Sequence, residues 1–489
     1  MSETKSSLIK ILGSEKVLDS PEILEGYSKD ESFTTPMRAT YLTKPGNVNE
    51  VQELVKWAGA EGRPLIPVSS GTPHFRGDTV PSVPEAVVVD LSGMNKIISI
   101  NNRHRMVVVE PGVTYGELQP ALAKEGLRLN TALAPRKNKS VLTSVLELEP
   151  RLNPRMQWSY VDPLRSMEVI FGDGQKLWTG DAGGGPIDLE AQQLSDKWQI
   201  GGSGPATTDF YRFLTAAQGT IGIVTWASMR CLELPTIHKL FMVDAKKLTD
   251  LQEFVYKILR LRFGDEVSVM NGTYLANLLG ETPEEIKRLK NELPMWVAIV
   301  GIAGYSILPE ERVSYQEKDI KEIAQQFGFD LKSSYAGVPS REILSKMINP
   351  SGEVYWKQCY KGGFEDIFFV STLDRAQGFV DTMMATAEAE GYPTSDVGVY
   401  IQPQHHGTSC HIEFNLPYNP ECKADSAAMK KLHCNASADL LKQGAFYSRP
   451  YGIWADMAYN KQAQTVFFLK KIKGIFDPNN IMNPSKLCF

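Results

Sequence analysis

The sequence predicts an α+β protein of two or three domains, and three observations carry that reading. Its 489 residues exceed one ordinary core at roughly 150 residues per domain. Between Asn47 and Leu129 the apolar spacing alternates between the helical and the strand period. After Pro235 a glycine-dense texture gives way to longer helices and strands. With 42% apolar and 9% aromatic residues the composition is globular, which excludes a disordered or collagen-like chain.

The elements follow in chain order. The N-terminal residues alternate polar and apolar types and hold no apolar run that could serve as a signal-peptide core. Val48, Val51, Leu54, Val55 and Ala58 share one helical face, opened by Asn47 with Glu50 three residues on, a capping-box spacing. Leu65–Val68, Val87–Leu91, Ile97–Ile100 and Met106–Val109 are β-branched runs bounded by Gly, Pro or Asn and read as strands. Thr114 and Glu117 then cap a helix that Gly126 ends. A second glycine-dense zone follows, with Gly172, Gly174, Gly180, Gly183 to Gly185, Gly201, Gly202, Gly204, Gly219 and Gly222. None of it matches G-x-G-x-x-G after a strand or the P-loop pattern, so the usual dinucleotide and P-loop readings fail.

Asp250 to Phe263 is amphipathic, and Thr282-Pro-Glu-Glu285 starts a further helix with proline at its first position. The longest apolar stretch, Met295 to Leu308, is about 14 residues where a membrane span needs about 20, so it reads as a buried strand. Val397–Gln402, a turn at His405-His-Gly407, and Cys410–Leu416 form a predicted hairpin. In its second strand Cys410, Ile412, Phe414 and Leu416 face one way and His411, Glu413 and Asn415 the other. Lys plus Arg number 52 against 57 Asp plus Glu, a net charge of −5, so nothing in the balance favours a nucleic-acid partner. Six scattered cysteines with no C-x-x-C pair argue against a disulfide framework and against an iron–sulfur or zinc site. A cytoplasmic protein without a membrane span is expected.

Three segments in order give the chain its affinity. They are Pro67-Val-Ser-Ser-Gly-Thr-Pro-His-Phe-Arg-Gly-Asp-Thr79 with Val109-Glu-Pro-Gly-Val-Thr-Tyr-Gly-Glu-Leu118; Met167-Glu-Val-Ile-Phe-Gly-Asp-Gly174 with Trp178-Thr-Gly180, Gly202-Ser-Gly-Pro205 and Gln218-Gly-Thr-Ile-Gly-Ile-Val224; and Phe476-Asp-Pro-Asn-Asn-Ile-Met-Asn-Pro-Ser-Lys486. Together they resemble the flavoprotein family of vanillyl-alcohol oxidase and para-cresol methylhydroxylase. The resemblance implies a two-subdomain FAD-binding fold with an α+β cap domain and a C-terminal tail returning to the FAD domain. The expected divisions are 1–235 for FAD binding, 236–440 for the substrate cap and 441–489 for the tail.

Cofactor contacts are expected from the first loop, Val68, Ser69, Ser70, Gly71, Thr72 and Pro73, whose backbone and hydroxyls suit a pyrophosphate. The resemblance adds Pro111 and Gly112, then Ser140, Val141, Thr143 and Ser144, where the family has a glycine-richer loop. Gly222 and Val224, with Asn483 and Lys486 of the tail, complete the set. Asp366 occupies the family's flavin-linking histidine position, and neither Tyr355 nor Tyr360 aligns without a shift. Non-covalent FAD is therefore expected.

For catalysis, the resemblance turns the polar face of the hairpin, with His411 and Glu413, toward the flavin; a solvent-exposed face is the alternative. Arg449, in Tyr447-Ser-Arg-Pro-Tyr451, fits an arginine slot that holds a phenolate oxygen, with Tyr447 or Tyr451 near the displaced tyrosine. Arg76 stands where the family has a second phenolate tyrosine, and an arginine there suits a carboxylate or an enolate. Asp162 lies near the family's acid beside flavin N5, or else caps a turn before Pro163. His405, His406, His411 and Glu413 could form a metal set, but the acidic Gly-Asp-Gly core of the related 2-hydroxy-acid dehydrogenases is missing, and no metal is assigned.

The expected activity is removal of a hydride from a benzylic or hydroxyl-bearing carbon of a small, aromatic or phenolic substrate. Electrons then pass to oxygen or a separate redox protein, in a homodimer or a redox complex. The rivals are a metal-assisted 2-hydroxy-acid dehydrogenase and an electron-relaying flavin subunit.

Overall fold

Three large sheets organise the computed structural model, which describes residues 2–182, 191 and 209–489. The Gly183 to Gly185 run and the Gly202 to Pro205 motif lie outside the described residues. The first sheet runs Val17–Leu18, Tyr41–Thr43, Val87–Asp90, Leu65–Val68, and its last three strands are parallel. All four residues of Val87–Asp90 are buried, which is why that strand reads as an unbroken valine run. The helix Val48–Glu61 covers this sheet. Asn47 Oδ1 accepts the Glu50 N–H at 3.0 Å to start it, and Gly62, at φ 62°, ends it in the left-handed conformation.

The second sheet is antiparallel and centres on the long strand Gly222–Glu233. That strand pairs with Met106–Val109 on one side and Leu164–Phe171 on the other, and with Leu127–Leu129 at its far end. The third sheet, also antiparallel, orders Ile237–Ala245, Trp296–Gly304, Glu266–Asn271, Gly398–Gln404, Ser409–Tyr418 and Gly363–Ser371. Apolar side chains fill both of its faces. Ala298 and Val300 join one core with the helix Leu248–Arg260, and Val297 and Ile299 join another with Gly272–Leu279 and Ser340–Ile348. This explains the apolar run found in the sequence as a strand buried on both sides.

Two-sided burial also settles the hairpin. Ser409–Tyr418 is buried at every position, so the face with His411, Glu413 and Asn415 is interior, not solvent-exposed. No described helix is long and apolar enough to cross a membrane.

The C-terminal segment returns to the first sheet. Leu65 N–H donates to Ile481 O at 2.7 Å, and Asn483 N–H donates to Leu65 O at 2.9 Å, extending the sheet beyond its edge strand. Lys473, 5% exposed, anchors this return: its ammonium donates to Asp477 Oδ2 at 2.7 Å, Thr220 O at 2.6 Å and Met482 O at 3.1 Å. Asp477 in turn accepts the Ile481 and Met482 N–H groups. Lys473→Met leaves Asp477 buried without its cation and is expected to cost about 3–5 kcal/mol, read as a lowered urea midpoint.

Candidate functional site

A cleft enclosing about 1440 Å³, its open mouth included, lies where the first two sheets meet the third. The loop after strand Leu65–Val68 forms one wall through Ser69, Ser70 and the side chains of His74 to Arg76. The opposite wall is the start of helix Val141–Leu146. Ser140 Oγ accepts the Thr143 N–H at 3.0 Å and donates to Pro111 O at 2.5 Å. Thr143 Oγ1 meets Ser69 Oγ at 2.5 Å across the cleft, and Ser70 Oγ accepts the Ser140 N–H at 3.1 Å. The floor is backbone from 216–224. A Cβ on Gly222 would come within 2.7 Å of Ile170 O, and one on Gly219 within 2.4 Å of Pro67, so both positions require glycine.

The far end is aromatic, with Phe75, Tyr355, Phe364 and Tyr451. His74 Nε2 is buried with no hydrogen-bond partner, and burial first, then Arg136, pushes this imidazole down to about 4. Hydroxyls and a helix start at one end, apolar walls between and an orphaned imidazole donor-acceptor form a donor set that fits a dinucleotide with a flat ring system.

Behind the aromatic end lies a chain of alternating charges. Arg76, from the first loop, reaches Asp366 Oδ2 on strand Gly363–Ser371 at 3.3 Å. Lys357 bridges Asp366 at 2.7 Å and Glu413 at 2.5 Å, and His411 Nε2 lies 3.3 Å from Glu413 Oε2. Asn415 Nδ2 donates to the other Asp366 oxygen at 2.8 Å, and the Tyr274 hydroxyl donates to Glu413 at 2.8 Å. Burial alone would raise the Glu413 carboxyl, but Lys357 and His411 hold it well below the usual carboxylate range. Burial opposes the Lys357 charge, yet Asp366 and Glu413 raise its pKa above the ordinary lysine value. For His411 burial dominates and lowers the imidazole, so it is neutral at pH 7.

Arg449 differs from these. It is 6% exposed and stacks on the Phe368 ring at 4.0 Å, with Arg76 at 4.6 Å from the same ring centroid. Its guanidinium makes no hydrogen bond or ion pair with any described residue. Burial lowers its pKa; Tyr451 opposes that shift and Arg76 adds to it, as befits a cation lacking its anion.

The predicted residues separate accordingly. Val68, Ser69, Ser70, Pro111, Thr143, Gly222, Val224 and Arg76 line the cleft. Gly71, Thr72 and Pro73 stand just behind it: Arg136 donates to Gly71 O and Pro73 O, and Asn138 donates to Thr72 O. Gly112 is needed where its Cβ would strike Ser92 O at 2.4 Å. Val141 is core, and Ser144 donates to Glu149. Asn483 and Lys486 brace the first loop from behind, through Asp78 O and Gly77 O.

Two catalytic expectations are placed elsewhere. Asp162 is not at the cleft, because its Oδ2 accepts the Trp158 and Ser159 N–H groups and caps the turn before Pro163. Tyr447 is core: its hydroxyl donates to Ser437 O at 2.7 Å and its ring stacks on Trp454, leaving Tyr451 as the tyrosine that lines the cleft. His411 and Glu413 lie one layer behind the aromatic wall. The His405 ring binds Trp158 O, and His406 packs edge-on against Trp158, so the four-residue metal set is not assembled. Among the described residues no group of three or more His, Cys, Asp or Glu could hold a metal ion. Lys357 had no motif to announce it; only the pairing of two inward carboxylates on adjacent strands calls for a cation there.

The cleft and the family relatives together make this an FAD-linked oxidoreductase. Residues 39–180 match the FAD binding domain family. The chain is 33% identical over 497 residues to an "uncharacterized FAD-linked oxidoreductase" of Mycobacterium tuberculosis, covering 99% of this chain and 98% of that one, and it belongs to that family. It is 26% identical over 346 residues to the 4-cresol dehydrogenase [hydroxylating] flavoprotein subunit of Pseudomonas putida, 65% of this chain and 62% of that one. It is 27% identical over 291 residues to 1'-carboxy-chondrochloren decarboxylase of Chondromyces crocatus, covering 58% of this chain and about half, 51%, of that relative. The fold is that of p-cresol methylhydroxylase with substrate bound, at a TM-score of 0.82 and 19% identity, covering 100% of this chain and 98% of that one. FAD is the cofactor, and the fold class expected from the sequence holds.

Removing the central cation tests the charge chain. Lys357→Met should lower stability by about 3–5 kcal/mol in urea unfolding, and adding Glu413→Gln should recover part of it. Glu413 titrates lower in the fold than in the unfolded chain. Its contribution is therefore full above the ordinary carboxylate range and lost as pH falls below it, and Lys357→Met should flatten that slope.

Proposed function

We propose that this oxidoreductase removes a hydride from a benzylic or hydroxyl-bearing carbon of a small aromatic substrate whose anionic oxygen is held by Arg449. The observation that carries the reading is the buried Arg449 guanidinium, without an acceptor, which does not itself line the cleft but shares the Phe368 ring with the cleft-lining Arg76. Bound FAD supplies the hydride acceptor. The first loop, Pro111, Thr143 and Gly222 hold it, and the segment 236–440 acts as the cap over its reacting end.

A buried cation next to a phenol lowers the cost of releasing the phenol proton, and the resulting anion donates charge into the ring as hydride departs. Phe368 fixes the guanidinium from one side, and the charge chain orients Arg76 so that its second amino group remains available to the same substrate. The Tyr451 hydroxyl is held protonated by burial and can donate to the substrate oxygen. The phenol named in the 4-cresol dehydrogenase relative supports an aromatic substrate. Two arginines on one ring also favour a second reading, a 2-hydroxy acid held by its carboxylate. FAD held by the first loop, Pro111, Thr143 and Gly222 would supply the route by which electrons leave to oxygen or to a separate redox protein.

Anaerobic titration with 4-alkylphenols, benzylic alcohols and 2-hydroxy acids identifies the class by bleaching of the flavin, and bleaching by none of them would leave only an electron relay. Arg449→Ala is expected to lower kcat/KM by about 10²–10³, with Arg449→Lys recovering only part because an ammonium lacks the planar fork. An unchanged kcat/KM in both variants defeats the assignment.

FAD is proposed to be non-covalent, since Asp366 at the linking position is engaged by Lys357, Arg76 and Asn415. Acid precipitation should therefore leave a colourless pellet; a yellow one would point to Tyr355, the tyrosine of the two that lines the cleft.

A further inference from the structure

A second concavity, enclosing about 1390 Å³ with its mouth, lies at the opposite end of strand Gly222–Glu233 from the first cleft and holds a concentration of cations that the net charge of −5 conceals. It is bounded by the turn at 102–105, the end of strand Gly222–Glu233, the start of Leu164–Phe171, and residues 305–312. Arg105, Arg165, Arg230, Arg312 and His104 line it against a single carboxylate, Glu233. Glu233 is already engaged at the rim, where it accepts the Ser306 N–H at 3.0 Å.

One carboxylate does not match these arginines: Glu233 is held below the usual carboxylate range first by its Ser306 hydrogen bonds and then by Arg105 and Arg312. Arg105, Arg230 and Arg312 make no ion pair or side-chain hydrogen bond with any described residue, although Arg230 is half-buried. Arg165 pairs with Asp181, but its Nε is buried without an acceptor. The acidic groups behind the wall do not neutralise them. Asp265 and Glu266 are matched by Arg128, Arg155 and His238, and the Tyr305 hydroxyl on the cleft wall donates to Asp265. Four guanidiniums lining one concavity with one carboxylate leave positive charge unmatched, and their fork geometry matches phosphate oxygens.

One further wall residue narrows the ligand. Trp158 lines the cleft with its indole 53% exposed, an uncommon state for the most apolar aromatic surface, while Arg262 sits 5.8 Å from its ring. A flat ring stacked on this indole would leave attached phosphates among the arginines. We propose that this cleft binds a nucleotide, with phosphates on Arg105, Arg165, Arg230 and Arg312 and the base on Trp158. It is separate from the FAD cleft and shares no lining residue with it.

The test uses FAD-saturated holoprotein, so that the adenine part of the first cleft is filled, and isothermal titration with ADP, pyrophosphate and adenosine. ADP should bind more tightly than either fragment. Arg230→Ala, and the exposed pair Arg105→Ala with Arg312→Ala, should each weaken ADP and pyrophosphate by about tenfold or more. Trp158→Ala should weaken ADP and leave pyrophosphate unchanged. Arg341→Ala, an exposed arginine on a distant helix, should change nothing, and an unaltered flavin spectrum in every variant reports an intact fold. The proposal is overturned if ADP shows no binding up to millimolar concentration, if adenosine binds as well as ADP, or if the cleft variants behave as Arg341→Ala does. An undiminished ADP affinity in Trp158→Ala would remove the base from the assignment and so refute a nucleotide.

Discussion

Five side chains in one buried row, Arg76, Asp366, Lys357, Glu413 and His411, set the constraint on which the active region depends. Asp366, Lys357 and Glu413 have lost their water, while Arg76 keeps 24% of its side chain exposed, so the three buried ions are tolerable only while neighbours of opposite sign stay in register. The row crosses from the loop after strand Leu65–Val68 to the third sheet, and its alternation therefore fixes how these two parts face each other. Two cations balance two carboxylates, with His411 neutral at the end. Arg449 is then in excess, against the same phenylalanine as Arg76, and the site as folded carries one positive charge too many until an anion enters.

The cofactor loop is held from behind by groups that never touch the cleft. Asn483 and Lys486 grip the carbonyls of Asp78 and Gly77, Arg136 grips those of Gly71 and Pro73, and Lys473 fastens the returning tail through Asp477. A loop of this composition has little secondary structure of its own to define it. Its shape is imposed by cations capping carbonyl oxygens, which explains why a segment over 400 residues away in the chain belongs to the same binding motif. The aromatic end of the cleft is shaped differently: Phe75, Tyr355 and Phe364 pack on one another and shield the charge row from solvent.

Much of this was legible in the linear pattern. The side-chain cap at Asn47, the capping box at Thr114 and Glu117, the valine strands and the alternation in Ser409–Tyr418 are local effects of helix and strand periodicity, and they appear where the sequence put them. The loop Ser69 to Pro73 could be recognised because close backbone approach demands small and hydroxyl side chains at fixed spacing. Asp162, which the sequence left open between an acid and a turn cap, and Tyr447, read there with Tyr451, are both engaged away from the cleft for a common reason. A carboxylate or a phenol can satisfy itself on local backbone, and at both places it does, on Trp158 and Ser159 N–H groups and on Ser437 O.

The sequence by itself determined the α+β class, FAD as the cofactor and the buried character of the long apolar strand, because each is written in residue type and short-range spacing. Tertiary structure alone decided that His411 and Glu413 lie one layer behind the cleft, that Lys357 completes their charge balance, and that scattered arginines from four parts of the fold line one concavity with Trp158. These depend on which strands pair and which side of a sheet a residue faces. Electrostatic energy falls with distance in space, and separation along the chain says nothing about that distance.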